Sequence, residues 1–289
     1  MRTGSPHEDP RLPDYLSVPA ARLGVGTPVK VRVLGDQMAV ARDMAGAFRE
    51  EFMRAAAEGR GATLIVPVGP VDHYPILAEM INGERIDCRD AVLINMDEYL
   101  DDGGEPIPAG HPLSFRGFME RKFYGLLDPS LAPRPENRIF PGPDDPGAIA
   151  GLIAARGGVD ACFGGIGING HIAFNEPPEP GQHVSVEEFA ELPTRVLALS
   201  RETRTINSVT VGGEISVIPR LAVTVGMREC LGARRVRLYC NRPWQSAVVR
   251  RALHGPVTAD CPASLIRLHA DASLSIADYV ARPPEIMLR

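Results

Sequence analysis

Two stretches of the chain place acid/base side chains directly after apolar runs. In the first, Val159-Asp-Ala-Cys-Phe163 leads into Gly164-Gly-Ile-Gly-Ile-Asn-Gly170 and then into His171-Ile-Ala-Phe-Asn-Glu-Pro177. Four glycines within seven residues let the backbone turn sharply and approach a ligand. Asn169, His171, Asn175 and Glu176 are threaded between apolar neighbours at that turn. In the second stretch, the apolar Ala91–Met96 run ends in Asp97-Glu98-Tyr99. An imidazole with a carboxylate on one strand end, and a further carboxylate on another, are suited to general acid/base chemistry at the carboxyl edge of a sheet. Arg204, in Glu202-Thr-Arg-Thr205, is either a surface charge or an anion clamp.

Other chemistries fit less well. Gly165-x-Gly167-x-x-Gly170 matches the dinucleotide fingerprint, but that mechanism needs a helix opening at the third glycine. Pro177 and Pro178 leave room for scarcely two turns, so dinucleotide binding is not expected. His171 and Glu176 are five apart, which does not stack them on one helix face. There is no H-x-x-x-H pair and no cysteine beside them, so no metal site is expected.

These residues need strands to deliver them. Lys30–Leu34, Thr63–Pro67, Ala91–Met96, Val159–Phe163, Arg195–Leu199, Leu221–Val225 and Arg235–Tyr239 read as strands, several apolar throughout, as when both faces are covered. Helices are expected over Gln37–Glu58, Tyr74–Ile81, Leu113–Leu126, Gly147–Ala155, Trp244–Leu253 and Ser273–Val280. The alternation predicts an α/β fold, a doubly wound, mostly parallel sheet flanked by helices. Residues 1–28 read as an extended arm and 29–289 as a single domain, with a proline- and glutamate-rich lid around 177–203.

Composition sets the remaining bounds. The 289 residues carry a net charge of −5, which offers no nucleic-acid footprint. No apolar run approaches the roughly 20 residues of a membrane span. The five cysteines are scattered and form no C-x-x-C, so free buried thiols and a cytoplasmic location are expected.

Asn95-Met-Asp-Glu-Tyr99, His111-Pro-Leu-Ser-Phe115, Gly170-His-Ile-Ala-Phe-Asn-Glu-Pro177, Thr224-Val-Gly226 and Pro262-Ala-Ser-Leu265 occur in that order. Together they resemble the glucosamine-6-phosphate deaminase (isomerase) family over about residues 30–275. The 6-phosphogluconolactonases share the Gly-His part of the site but not its continuation. The resemblance implies cofactor-free chemistry on a small-molecule amino sugar or sugar phosphate, in a protein of a kind that is often a homo-oligomer. His171, assisted by Glu176, would open the pyranose ring, and Asp97 would carry a proton from C2 to C1. Gly69, Glu98, Gly165, Gly167, Gly170 and Arg204 are expected to contact the substrate.

Three departures from the family pattern stand out. Asn169 replaces an aspartate, and an amide can fix the imidazole tautomer but cannot stabilise imidazolium by charge. Val68-Gly-Pro-Val-Asp72 replaces a Thr-Gly-Gly-Thr phosphate loop, losing an amide donor at Pro70 and adding a carboxylate. Gln245 stands near the place of a phosphate-holding lysine. The expected activity is therefore that of an amino-sugar deaminase/isomerase acting on glucosamine-6-phosphate or a related, unphosphorylated sugar. A sugar-binding regulator and a sugar lactone hydrolase are the alternatives.

Overall fold

The computed structural model describes residues 12–286. The strands are β1 (Lys30–Leu34), β2 (Thr63–Val66), β3 (Val92–Asn95), β4 (Asp97–Leu100), β5 (Arg138–Ile139), β6 (Ala161–Gly164), β7 (Arg195–Ala198), β8 (Leu221–Thr224), β9 (Val236–Cys240) and β10 (Ala272–Ala277). The helices are α1 (Gln37–Ala57), α2 (His73–Glu84), α3 (Phe115–Lys122), α4 (Ala148–Ala155), α5 (Val186–Ala190), α6 (Arg201–Asn207), α7 (Met227–Leu231), α8 (Gln245–His254) and α9 (Asp278–Ala281). Seven strands form one sheet in the order β1-β10-β9-β6-β2-β3-β5, every neighbouring pair parallel. The other three, β4-β8-β7, form a small antiparallel sheet. The α/β fold with a mostly parallel sheet is as the alternation predicts.

β2 and β3 are buried at every position, which is why they are wholly apolar but for Thr63 and Asn95. On one face α1 starts at Asp36, whose carboxylate accepts from Ala39 N at 2.7 Å. Its buried stripe of Val40, Met44, Phe48 and Phe52 follows helical spacing, and Phe48 stacks on Phe163 of β6. From β2 the chain winds outward through β3 to β5, then returns to the other side of β2 with β6. The winding therefore reverses between β2 and β6, where an open α/β sheet leaves a crevice at its carboxyl edge.

Two expectations are corrected. Ser273–Val280 is not a helix: Ala272–Ala277 is a strand between β1 and β9, and only Asp278–Ala281 is helical. Its buried Ala272, Leu274 and Ile276 alternate with serines at period two, a pattern weak in β-branched residues. Nor are residues 12–28 an extended arm. They make two 3-10 turns at Asp14–Ser17 and Ala20–Arg22, Leu23 is buried, and Val18 O accepts from Arg250 Nε at 2.9 Å. The first eleven residues of that arm lie outside the described part. Within 177–203, α5, β7 and the start of α6 interrupt the loop.

Candidate active site

Three adjacent strands, β6, β2 and β3, end at the same edge and supply three loops. Gly164 closes β6; a Cβ on Gly165 would meet Gly69 O, from the loop after β2, at 3.3 Å. After β3, Met96 N bonds Val66 O at 2.9 Å and Met96 O accepts from Val225 N at 2.7 Å. The chain thus leaves the large sheet at Met96 and enters the small one at Asp97. Asp97-Glu98-Tyr99, read from the sequence as the end of the Ala91–Met96 strand, are themselves strand residues of the small sheet, with Asp97 opposite Thr224.

The glycine loop folds around His171. Gly167 N donates to His171 O at 2.9 Å, and a Cβ on Gly167 would lie 2.0 Å from His171 Nε2. Any side chain there would displace the imidazole. Gly170 has φ +96°, and a Cβ on it would meet Cys261 Sγ at 2.8 Å. Ala173, with φ 52°, is a non-glycine residue in the left-handed region at the turn between His171 and Glu176.

His171 Nδ1 lies 2.8 Å from Asn169 Oδ1, and Asn169 Nδ2 donates to Glu176 Oε2 at 2.5 Å. A carboxylate only accepts, so the amide of Asn169 must turn its nitrogen to Glu176 and its oxygen to the imidazole. That assigns the proton to Nδ1 and leaves the lone pair on Nε2, the nitrogen facing the glycine loop. Glu176 Oε2 is itself 3.5 Å from Nδ1 and also accepts from Ser200 Oγ at 3.1 Å, while Oε1 accepts from Ser200 N at 3.2 Å. Burial pushes the Glu176 carboxyl up, but bonding to His171, its charge, and the groups of Asn169 and Thr203 outweigh this and hold it at about 2, below the ordinary 4.5.

Asp97 has the opposite surroundings. It is 7% exposed, and burial, followed by repulsion from Glu98, pushes it from 3.8 up to about 8. Only the Phe174 N–H and the Thr224 hydroxyl pull it back, and neither is a cation. Phe174 joins the two stations. Its backbone N–H donates at 3.0 Å to Oγ1 of Thr224, the residue paired with Asp97, and its ring meets the imidazole edge-on at 5.9 Å; it is anchored among Tyr99, Phe115 and Leu199 in the small sheet's own core.

Glu98, expected to contact the substrate, has its carboxylate turned into the fold. It is 1% exposed, and its carboxylate accepts from Ser114 Oγ, Phe115 N and Arg116 N at 2.8–3.0 Å, as well as from Tyr99 N. It caps the start of α3 and reaches Asp97 only through its charge. Arg204 is half-buried and holds the carbonyls of Ile215 and Ile218 through Nε and Nη2. Asp72 Oδ2 accepts from Gln37 Nε2 at 2.8 Å and Asn241 Nδ2 at 3.1 Å. Gln245 is buried, with Nε2 on Ile166 O and Oε1 on Arg242 N. Among the described residues no cluster of His, Cys, Asp and Glu is arranged to hold a metal ion.

A glucosamine-6-phosphate deaminase of Cellvibrio japonicus is 32% identical over 259 residues, 88% of this chain and 90% of that protein. The chain belongs to the glucosamine-6-phosphate deaminase family. A second relative, from Streptomyces avermitilis, is 31% identical over 220 residues, 73% of this chain and 77% of its own. Among solved structures, a monomeric glucosamine-6-phosphate deaminase superposes with a TM-score of 0.75 at 24% identity, covering 88% of this chain and 99% of that one. A 6-phosphogluconolactonase from Trypanosoma brucei gives 0.63 at 14% identity, covering 88% and 98%, a likeness of fold alone. No protein-family model matches the chain.

For this member of the glucosamine-6-phosphate deaminase family, the geometry adds residues that sequence reasoning missed. Ser200 touches Glu176, Thr203 touches His171, Thr224 pairs with Asp97, and Phe174 lies between the two groups. Ser200 carried one usable signal, a polar residue directly after the Arg195–Leu199 run, the same signature that singled out Asp97; Thr203, three residues on, carried none. α6, which they begin, is too short to be read from periodicity.

Proposed function

We propose that the chain is a cofactor-independent amino-sugar deaminase/isomerase that converts a hexosamine and water to a ketose and ammonia. The observation that carries this is a buried carboxylate, Asp97, with no cation among the influences on it, joined through Phe174 to a histidine with a free Nε2. A 2-amino group bound as an ammonium supplies the missing positive charge, drawing Asp97 back towards its ionised form. Nε2 of His171 takes the proton of the anomeric hydroxyl and returns it to the ring oxygen as the pyranose opens. Asp97 then removes the proton at C2 and delivers it to C1. The enolamine becomes a ketimine, and water adds to it and expels ammonia. The glycine amides of the loop are placed for sugar oxygens. By net reaction this is an isomerisation coupled to hydrolysis of a C–N bond.

The residues at the family's phosphate-holding positions favour a neutral C6 end over a phosphate. Asp72 is a carboxylate held by two amides, Gln245 is neutral, and Arg204 is engaged with backbone carbonyls. The remaining expectations are consistent with this reading: the segment around 177–203 closing over the sugar, self-association, and residence in the cytoplasm, where the five buried free cysteines stay reduced. Ammonia and ketose release from a panel of free and 6-phosphorylated hexosamines is the test. Production of ammonia supports the reading, and none from any of them contradicts it. Asn169 favours a second reading, a sugar-binding regulator, which calorimetric binding of a hexosamine without turnover would select. Acid release from a sugar lactone without ammonia would instead mark a lactone hydrolase.

A further inference from the structure

Asn169 leaves the His171 station with an electrical gap. Its amide orients both neighbours, accepting from Nδ1–H and donating to Glu176, but it carries no net charge and bears no proton to pass on. The negative charge that stabilises an imidazolium here belongs to Glu176, 3.5 Å from Nδ1 and one side chain further out. That carboxylate approaches Nδ1 directly, and two hydroxyl groups lie beside the same path.

We propose that Ser200 and Thr203 are positioning residues that form a hydroxyl bridge from His171 Nδ1 to Glu176, parallel to the Asn169 amide. The inference rests on reading His171 as the proton-transfer station. Thr203 Oγ1 lies 3.3 Å from His171 Nδ1 and 3.1 Å from Ser200 Oγ, and Ser200 Oγ donates to Glu176 Oε2 at 3.1 Å. Each hydroxyl has one proton. With Ser200 donating to the carboxylate, Thr203 turns its proton to Ser200 Oγ and its lone pair to Nδ1–H. The three bonds then run in one direction, towards the charge, and polarise one another. The backbone fixes the geometry: Ser200 N bonds Glu176 Oε1 at 3.2 Å, and Thr203 N donates back to Ser200 Oγ at 3.2 Å as the first turn of α6 begins. The bridge is rigid because Thr203 is fully buried.

The test uses the full chain with S200A, T203V and the conservative S200T and T203S. Titration of the His171 ring nitrogens by 15N NMR without substrate reads the coupling directly. The pH profile, kcat and KM for ammonia release read its consequence. S200A and T203V are expected to move His171 protonation to lower pH and to lower kcat by about tenfold, the scale of one hydrogen bond, with KM changing less than about twofold. S200T and T203S restore both. Unchanged His171 titration in S200A and T203V overturns the proposal, as does a defect in KM alone. If the unsubstituted protein releases no ammonia but the His171 titration still shifts in the variants and returns in T203S, the bridge stands and the deaminase reading fails.

Discussion

Two carboxylates about one phenylalanine, Asp97 and Glu176, are driven in opposite directions. Glu176 gathers donors from Asn169 and Ser200 and lies beside an imidazole, and it sits at about 2. Asp97 is buried against another carboxylate with two neutral donors, and it sits at about 8. The difference is not one of depth alone, since burial pushes both upward. It lies in the number and charge of the partners. In the proposed reaction the first stays charged and steadies the histidine, and the second exchanges a proton near neutrality. Carboxyl groups pushed apart in this way mark division of acid/base labour.

The largest effect is expected at Asp97, the proposed base. D97N is expected to lower kcat for ammonia release by about 10³-fold, within the range of a lost general base, measured with purified ketose-coupled assays. The same change should raise stability. Asp97 keeps its proton in the folded state up to about 8 but loses it near 3.8 when unfolded, so the folded state is progressively penalised as pH rises between those values. D97N should match the unsubstituted protein below pH 3.8 and exceed it by roughly 1–3 kcal/mol above pH 8, by denaturant unfolding.

Glu176 predicts the reverse. Its lowered carboxyl stabilises the fold above about pH 4.5, and that contribution is lost as pH falls towards about 2. E176Q should therefore lower kcat by about 10²-fold and cost about 1–3 kcal/mol at pH 7, the gap closing in acid. A stabilised E176Q at pH 7 would contradict the division.

Much of this arrangement was legible beforehand. Ala91–Asp97 and Phe163–Glu176 announce themselves because an apolar strand ends abruptly in polar residues or glycines. What stayed hidden was made by distant partners. Glu98 looks like a ligand contact until Ser114, Phe115 and Arg116, 16–18 residues on, are seen to enclose its carboxylate. Ser200 meets Glu176 from 24 residues away. Ala272–Ala277 reads as helix because alanine and serine carry little strand preference, and its place between β1 and β9 decides the matter.

Smaller changes sharpen the contrast. E98Q removes the charge that raises Asp97, so the rising limb of kcat/KM against pH should move to lower pH by about half a unit or more. A limb that does not move would leave burial as the whole cause. N169D places a second negative charge beside Nδ1 and should raise kcat only a few-fold, because Glu176 already supplies one.

The most direct measurement is a carboxyl 13C NMR titration of the ligand-free protein, with Asp and Glu labelled and D97N and E176Q used for assignment. One aspartate resonance is expected with a midpoint near 8, absent from D97N, and one glutamate still ionised well below pH 4, absent from E176Q. Midpoints near 4 for both groups would contradict this.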